Sequence, residues 1–254
     1  MLERDYCLAW FLAALSQEKL GDRLAFKDGT AIKRCYVGDY RFSEDLDFTL
    51  TEETPFPDIR QGLEPVFTRV REASGIVFRF SREDRQSHSN SHTFYLGYEG
   101  PLPATAAGKE VKVDITIREK LIFTVERHPV LKGYAEYADL PENTALRVYS
   151  LDEIAVEKAV AVMDRARNEP RDLYDIWHLA DKAHVDLSHL KGPVEEKLGF
   201  RGKKLEDVRG ELVAKEARLK KLWQTRLAAQ MASLPEFDEV YRAVRRSFRM
   251  AGLS

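Results

Sequence analysis

The chain has 254 residues, of which 44% are hydrophobic and 32% are charged, with a formal net charge of −2 at pH 7. This composition fits a globular protein with one large or two modest domains. No apolar run reaches the roughly 20 residues that a transmembrane helix needs, and residues 1–20 contain acids, so we expect neither a membrane span nor a signal peptide. Cys7 and Cys35 are too few for a disulfide framework and lack metal-ligand spacing, so we interpret them as reduced structural residues of a cytoplasmic protein with no membrane partner.

Charge is distributed unevenly along the chain. From Lys197 onward there are fourteen Lys and Arg residues and seven Asp and Glu residues, a net charge of +7, whereas residues 1–196 carry −9. An acidic first part followed by a basic C-terminal part favours a nucleic-acid partner.

The first elements in the chain lead to a turn of small residues. Residues 3–20 have the apolar spacing of an N-terminal helix, and residues 24–26 form a short apolar run typical of a strand. Gly29-Thr30 follows this run and precedes a helical stretch. Such a helix start offers free backbone N–H groups and the positive end of the helix dipole, which favour a phosphate ligand.

An acidic strand comes next. Polar and apolar residues alternate over residues 45–50, the pattern of a half-buried strand, so Asp45 and Asp47 share one face. Two carboxylates about 4 Å apart repel by roughly 4 kcal/mol at an effective dielectric constant of about 20. A divalent cation shared with substrate phosphates relieves such repulsion. Each motif alone is commonly a surface turn or loop, but together they indicate transfer chemistry on a nucleoside triphosphate.

The segment after Pro55 and Pro57 predicts a helix to about residue 73, then strands at 76–80 and 93–98. The loop between these strands contains His88 and His92, which lack further ligands and are interpreted as polar hairpin residues rather than a metal site. Arg82 and Arg85 are candidates for contact with a polyanion.

A second acidic strand is predicted at residues 110–117, where the apolar residues form one face and Asp114 lies on the polar face. A solvated edge-strand acid is the alternative interpretation. Residues 119–148 show no clear element. A capping box at residues 150–153 begins a helix, and we place the domain boundary there, giving an α/β domain over residues 1–149 and a helical domain over residues 150–254.

Lys158 lies at the centre of the apolar stripe of this helix. A buried ammonium needs a partner, and the candidates are a triphosphate or a carboxylate of the next helix. That next helix begins near Pro170 and carries Asp172 and Asp175 one turn apart. An ion-pair network between helices is therefore the alternative to a role in nucleotide binding.

The rest of the chain is predicted to be helical. Its last helix, near residues 236–250, has an apolar side and an opposite side with four arginines. These arginines are Arg242, Arg245, Arg246 and Arg249. A solvated charged face is the ordinary interpretation, but arginine suits phosphate recognition, so the face is also a candidate RNA contact.

The motif Gly29-Thr30 followed by Arg41-x-Ser43-x-Asp45-x-Asp47 resembles the first motif of the DNA polymerase β-like nucleotidyltransferases. Its form is most similar to the AbiEii/AbiGii toxins, the toxin halves of bacterial type IV toxin–antitoxin and abortive-infection systems. One departure is visible, because the family pattern has Gly-Gly-Ser/Thr and this chain has Asp28 at the first glycine. A carboxylate there is unfavourable for a triphosphate, so either its side chain turns away or nucleotide affinity is reduced.

The resemblance implies a polymerase β-like α/β domain with a mixed sheet, followed by a C-terminal helical bundle. It also implies roles for residues that match family motifs, with Asp45, Asp47 and Asp114 as Mg²⁺ ligands. Asp114 is alternatively the general base. The implied nucleotide-binding residues are Gly29, Thr30, Arg41, Ser43, Lys158, Arg171 and Asp175. The run Arg171-Asp172-x-x-Asp175 matches a later family motif in which the Asp after Arg belongs to the active site.

The activity implied by the resemblance is Mg²⁺-dependent transfer of a nucleotide from an NTP to RNA. The implied acceptor is the 3′ end of tRNA, whose extension blocks aminoacylation and hence translation, and the implied protein partner is an antitoxin. Two alternatives stay open: a nucleotidyltransferase that modifies a protein or an aminoglycoside-type small molecule, and a non-catalytic module that binds a nucleotide or an antitoxin.

Overall fold

The computed structural model describes residues 2–84, 89–103 and 108–254 of the chain. Arg85 and His88, discussed above as a candidate polyanion contact and a loop histidine, lie outside these residues. The chain divides into two compact units. The first contains residues 1–119 and 125–149, and the second contains residues 120–124 and 150–254.

The first unit is built on a mixed sheet, as the fold prediction required. Its described strands are β1 (Leu24–Lys27), β2 (Leu46–Leu50), β3 (Val77–Glu83), β4 (Ser91–Glu99), β5 (Glu110–Thr116), β6 (Val125–His128) and β7 (Leu146–Tyr149). Their order across the sheet is β3-β4-β5-β2-β1-β7-β6. The pairs β2/β5 and β1/β7 are parallel, and the other neighbouring strands are antiparallel.

The helices of this unit form part of its apolar core. They are α1 (Leu2–Leu15), α2 (Asp28–Ala31) and α3 (Phe56–Ser74), with a 3₁₀ turn at Lys19–Arg23, a π-helical turn at Ile32–Tyr36 and a 3₁₀ turn at Ala135–Tyr137. The rings of Phe11 in α1 and Phe67 in α3 lie 5.4 and 6.4 Å from that of Phe78 in β3. Alternation along β2 and β5 buries one face of each strand in this core, so the polar residues are left on the other face.

The second unit is helical, as predicted. Its described helices are α4 (Leu151–Val162), α5 (Pro170–Asp181), α6 (Lys191–Phe200), α7 (Leu205–Val208), α8 (Glu211–Ala214), α9 (Glu216–Leu227) and α10 (Phe237–Met250), with 3₁₀ turns at Leu187–His189 and Ala228–Gln230. Helix α5 contacts α4, α9 and α10 and so forms the centre of the unit. The hydroxyl of Ser150 accepts the N–H of Glu153 at 3.1 Å, which is the predicted cap of α4.

A buried ion pair fixes the start of α4 within the second unit. Lys197 donates to the Glu153 carboxylate at 2.5 Å, and both side chains are buried. The same carboxylate accepts the backbone N–H groups of Ile122 and Phe123, which ties the segment 120–124 to this unit. Among the described residues, none of the helices combines the length and apolarity needed to cross a membrane.

Candidate active site

Strand register brings the two predicted acidic strands together. Asp47 of β2 lies directly opposite Asp114 of the parallel strand β5, and on its other side it lies opposite Lys27 of β1. Directly opposed residues share a sheet face. Thr93 of β4 lies opposite Asp114 and donates its hydroxyl to that carboxylate at 3.1 Å. We call Thr93, Asp114, Asp47 and Lys27 the carboxylate row.

The electrostatics of the carboxylate row centre on Asp47. Burial raises the pKa of Asp47 to about 7, and repulsion from Asp28, Asp45 and Asp114 adds to this rise, while Lys27 opposes it. A carboxylate with a raised pKa beside other carboxylates gains most from an added cation. Oxygen donors on one sheet face also match the ligand preference of Mg²⁺. The residues therefore fit the predicted divalent cation.

Binding of one metal ion by several of these carboxylates depends on the distances between their oxygen atoms. Among the described residues of the first unit, no three carboxylates place oxygen atoms within 4.8 Å of one another. Shared ligation of one ion would thus require rotation of these side chains, and Asp45, Asp47 and Asp114 are all partly accessible. Metal ligation by these three aspartates stays a prediction.

Lys27 is a residue that the sequence analysis missed. It is 9% exposed, its ammonium donates to the Thr116 hydroxyl at 2.9 Å, and it lies 5.8 Å from the centre of the Tyr149 ring. It therefore places a buried positive charge on the face that carries Asp47. In the sequence, Lys27 is visible only as a lysine at the end of a short apolar strand. Its position opposite Asp47 depends on strand pairing, which the local sequence does not predict.

The predicted phosphate turn at Gly29 and Thr30 contacts two residues of the segment that leads into β2. A Cβ atom built on Gly29 would lie 2.5 Å from Nη2 of Arg41, so the absence of a side chain at Gly29 permits the guanidinium to approach. Thr30 donates its hydroxyl to the backbone carbonyl of Asp45 at 2.7 Å. The motif residues Gly29, Thr30, Arg41 and Asp45 are thus brought together, and partly buried Ser43 precedes Asp45 in the same loop.

The second unit contains the other predicted site residues. The Lys158 ammonium lies 3.0 Å from Oδ1 of Asp172 and 3.0 Å from Oδ2 of Asp175, and all three side chains are buried. This ion-pair network between α4 and α5 is the alternative raised in the sequence analysis. Binding of a nucleotide phosphate by Lys158 stays a prediction, as does a catalytic role for Asp172.

The arginine beside Asp172 is Arg167, which the sequence analysis did not single out. Its guanidinium donates to both oxygens of Asp172, at 2.5 and 3.1 Å. Arg171, the arginine of the motif, instead has its Nε 3.7 Å from Glu169. Buried Lys215 donates to the carbonyls of Asp164 and Arg167 at 2.8 and 3.0 Å, and so holds the turn that carries Arg167.

Comparison with known proteins gives the family. The sequence model of one protein family matches residues 10–243. This family is described as the nucleotidyl transferase AbiEii toxin of type IV toxin–antitoxin systems. The chain belongs to the AbiEii family of nucleotidyltransferase toxins. The resemblance to this family is therefore confirmed over residues 10–243, and the family supports transferase activity with an NTP substrate and an antitoxin partner. No curated protein matches the chain.

Solved structures agree on the fold. MenT4, a nucleotidyltransferase toxin from Mycobacterium tuberculosis, is 21% identical with a TM-score of 0.59, and the match covers 98% of this chain and 82% of that one. JHP933 from Helicobacter pylori is 19% identical with a TM-score of 0.56, covering 99% and 91%. A putative nucleotidyltransferase from H. pylori is 20% identical with a TM-score of 0.57, covering 99% and 94%. At these identities the likeness concerns the fold alone.

Proposed function

We propose that this AbiEii toxin transfers a nucleotide from an NTP to RNA in a Mg²⁺-dependent reaction, with the 3′ end of tRNA as acceptor. The observation that supports it most is the carboxylate row, in which Asp47 lies opposite Asp114, and burial together with repulsion from nearby acids raises the pKa of Asp47 to about 7. A cation stabilises this arrangement and is the usual partner of a triphosphate. Extension of a tRNA 3′ end would prevent aminoacylation and so block translation in the cytoplasm.

The proposed roles of individual residues are those that the family motifs imply. Asp45, Asp47 and Asp114 would hold Mg²⁺, which when bound neutralises charge on the triphosphate. Asp114 is also the candidate base for the acceptor hydroxyl, since Thr93 fixes one of its oxygens. The turn at Gly29 and Thr30 would position phosphates through backbone N–H groups, with Arg41 and Ser43 beside it.

In the second unit, Lys158 and Arg171 are the predicted phosphate ligands, and Asp172 and Asp175 orient Lys158 through the ion pairs described above. This assignment gives the network a functional role in addition to its structural one. It requires the Lys158 ammonium to contact phosphate while it keeps its carboxylate partners.

The basic face of α10 supports an RNA acceptor. Arg242, Arg246 and Arg249 are exposed, and the Arg245 guanidinium lies 5.8 Å from the centre of the Tyr241 ring. Within the part of the chain that the structure describes, none of these four arginines forms an ion pair with an acid. Arginines that are not engaged by acids can neutralise phosphates of a nucleic acid.

The test is incubation of the purified protein with each labelled NTP, Mg²⁺ and total RNA, followed by separation of RNA, protein and small molecules. Label on tRNA is expected, and it should be lost with Asp47→Asn. Replacing Arg246 and Arg249 by Glu should weaken RNA labelling, whereas the same change at exposed Arg71 of α3 should not. Label on protein or on an added aminoglycoside would show that the acceptor is not RNA. Nucleotide binding without any transfer would indicate a non-catalytic module.

A further inference from the structure

Lys33 is a buried lysine that follows the predicted phosphate turn. It lies in the π-helical turn Ile32–Tyr36 and is only 1% exposed. Within the part of the chain that the structure describes, no carboxylate forms an ion pair with its ammonium. Burial lowers the pKa of Lys33, because it removes water from the charged group. The ammonium therefore depends on partners other than an acid.

The partners of the Lys33 ammonium are two backbone carbonyls and two aromatic rings. Its Nζ donates to the carbonyls of Gly38 and Tyr40 at 3.4 and 3.2 Å. It also lies 4.7 Å from the centre of the Phe42 ring and 5.4 Å from that of the Tyr134 ring. The two rings are nearly parallel, at 15°, with their centres 6.4 Å apart. Aromatic faces attract a desolvated cation, so the rings and carbonyls together stabilise the ammonium.

These contacts hold the chain on both sides of Arg41. The ammonium of Lys33 binds the carbonyl of Tyr40, the residue before Arg41. It also contacts the ring of Phe42, the residue after Arg41. The Arg41 guanidinium lies against Gly29, where an added Cβ atom would be 2.5 Å from Nη2. Lys33 therefore holds the loop that brings Arg41 to the phosphate turn.

We propose that Lys33 is a positioning residue for nucleotide binding, and that it acts by holding Arg41 at the Gly29 turn. This inference rests on the proposed function, in which Arg41 lies beside the turn that positions the phosphates. The Lys33 ammonium is enclosed by protein groups, so its effect on an NTP passes through Arg41. Without the ammonium, the loop would take additional conformations, and NTP binding would have to order Arg41 again.

The test uses Lys33→Met, which keeps the aliphatic stem and removes the ammonium. Calorimetric titration with each NTP and Mg²⁺ should show binding roughly tenfold weaker than wild type, the size expected when one ordered side chain is released. Amide hydrogen exchange of the nucleotide-free protein should become faster over residues 38–42. Leu63→Ala, which truncates a buried side chain of α3, is the control for general destabilisation. It should lower the melting temperature and leave the NTP affinity unchanged.

A double-mutant cycle separates action through Arg41 from an independent effect on the nucleotide. Arg41→Met alone should weaken NTP binding by at least as much as Lys33→Met. Adding Lys33→Met to Arg41→Met should cause no further loss of NTP affinity, because there is then no guanidinium to position. Additive losses would show that Lys33 acts by another route and would overturn the inference.

Tyr134 provides a second variant outside the motif, which decides the question if Lys33→Met does not fold. Tyr134→Leu removes one of the two rings and keeps an apolar side chain. It should weaken NTP binding in the same direction but less, by roughly threefold. Tyr134→Phe retains the ring and should restore most of this affinity. Equal losses in the two Tyr134 variants would contradict a role for the ring.

Failure of this inference differs from failure of the proposed function. Wild-type NTP affinity in Lys33→Met, or an equal loss of affinity in Leu63→Ala, would overturn the inference while the wild type still transfers nucleotide. A wild type that binds no NTP would instead overturn the proposed function. Hydrogen exchange over residues 38–42 would then decide by itself whether Lys33 holds this loop.

Discussion

Aspartates cluster in both units, but the charges around them differ. In the first unit burial raises the pKa of Asp47, and repulsion from three other carboxylates adds to this rise, with Lys27 as the opposing charge. In the second unit Asp172 and Asp175 contact the same buried lysine, and Arg167 contacts Asp172 as well. The comparison shows that one residue type serves two purposes. A carboxylate close to other carboxylates favours binding of a metal cation. Carboxylates that are paired with lysine and arginine residues of the chain instead hold those side chains in place.

The largest effect should come from removing a carboxylate of the first cluster. Asp47→Asn should reduce nucleotide transfer by roughly a thousandfold or more, because bound Mg²⁺ supplies several kcal/mol of charge stabilisation in such reactions. Asp45→Asn should do the same. Folding should be retained, since relieving repulsion among carboxylates does not destabilise the sheet. Transfer of label to RNA and the circular dichroism spectrum measure the two properties, and near wild-type transfer by either variant would remove it from the metal site.

Breaking the second cluster should affect stability first. Lys158→Met keeps the aliphatic volume but leaves Asp172 and Asp175 without their shared ammonium, and breaking a buried ion pair costs roughly 3–5 kcal/mol. The free energy of unfolding of the nucleotide-free protein, measured in urea, should fall by about this amount. Lys182→Met is the matched control, because the pair of Lys182 with Asp181 is exposed and such pairs contribute about 0–1 kcal/mol.

The contrasting outcome for Lys158→Met is equally informative. Unchanged stability together with loss of the stabilisation that NTP and Mg²⁺ give to the wild type would show that the lysine serves the nucleotide alone. A large loss of stability with NTP stabilisation preserved would remove Lys158 from the nucleotide site. We expect both stability and NTP stabilisation to decrease.

Ser43 allows negative charge to be added to the first cluster rather than removed. Phosphorylation adds about −1.5 to −2 charges, and Ser43 is partly accessible two residues before Asp45, whereas Thr30 is 1% exposed. Ser43→Glu should weaken NTP binding by roughly tenfold through repulsion of the triphosphate. Ser43→Ala is the control and should retain most of the binding. Normal NTP binding and transfer by Ser43→Glu would place Ser43 outside the nucleotide site.

Local patterns predicted much of the first unit. Alternation over residues 45–50 and 110–117 matches β2 and β5, because one face of each strand is buried and the other is polar. Strands β6 and β7 were not predicted, since each has only four residues in a segment interrupted by Pro129, Gly133 and Pro141. Their positions in the sheet depend on pairing that a short pattern does not encode.

The site was predictable where its chemistry lies in a motif. The contacts of Gly29 with Arg41 and of Thr30 with Asp45 lie within the segment that carried the resemblance. Lys27 and Arg167 were missed for a physical reason. The first acts through the register of β1 on β2, and the second reaches Asp172 from a turn between helices, so neither has a periodic signal in the sequence.

The last prediction is a pH dependence of stability that belongs to Asp47. Its pKa is raised from the ordinary 3.8 to about 7, so between these values the folded protein holds a proton that the unfolded chain has released. Stability must therefore decrease as pH rises through this window, and the contribution is lost above about pH 7. The urea midpoint of wild type relative to Asp47→Asn should fall from pH 4.5 to pH 7.5 in the presence of EDTA.

Mg²⁺ binds the ionised carboxylate, so its stabilising effect should grow over the same range in wild type and be absent in Asp47→Asn. A wild type whose stability relative to Asp47→Asn is independent of pH would show that Asp47 is ionised throughout, and its cluster would then resemble the balanced acids of the second unit.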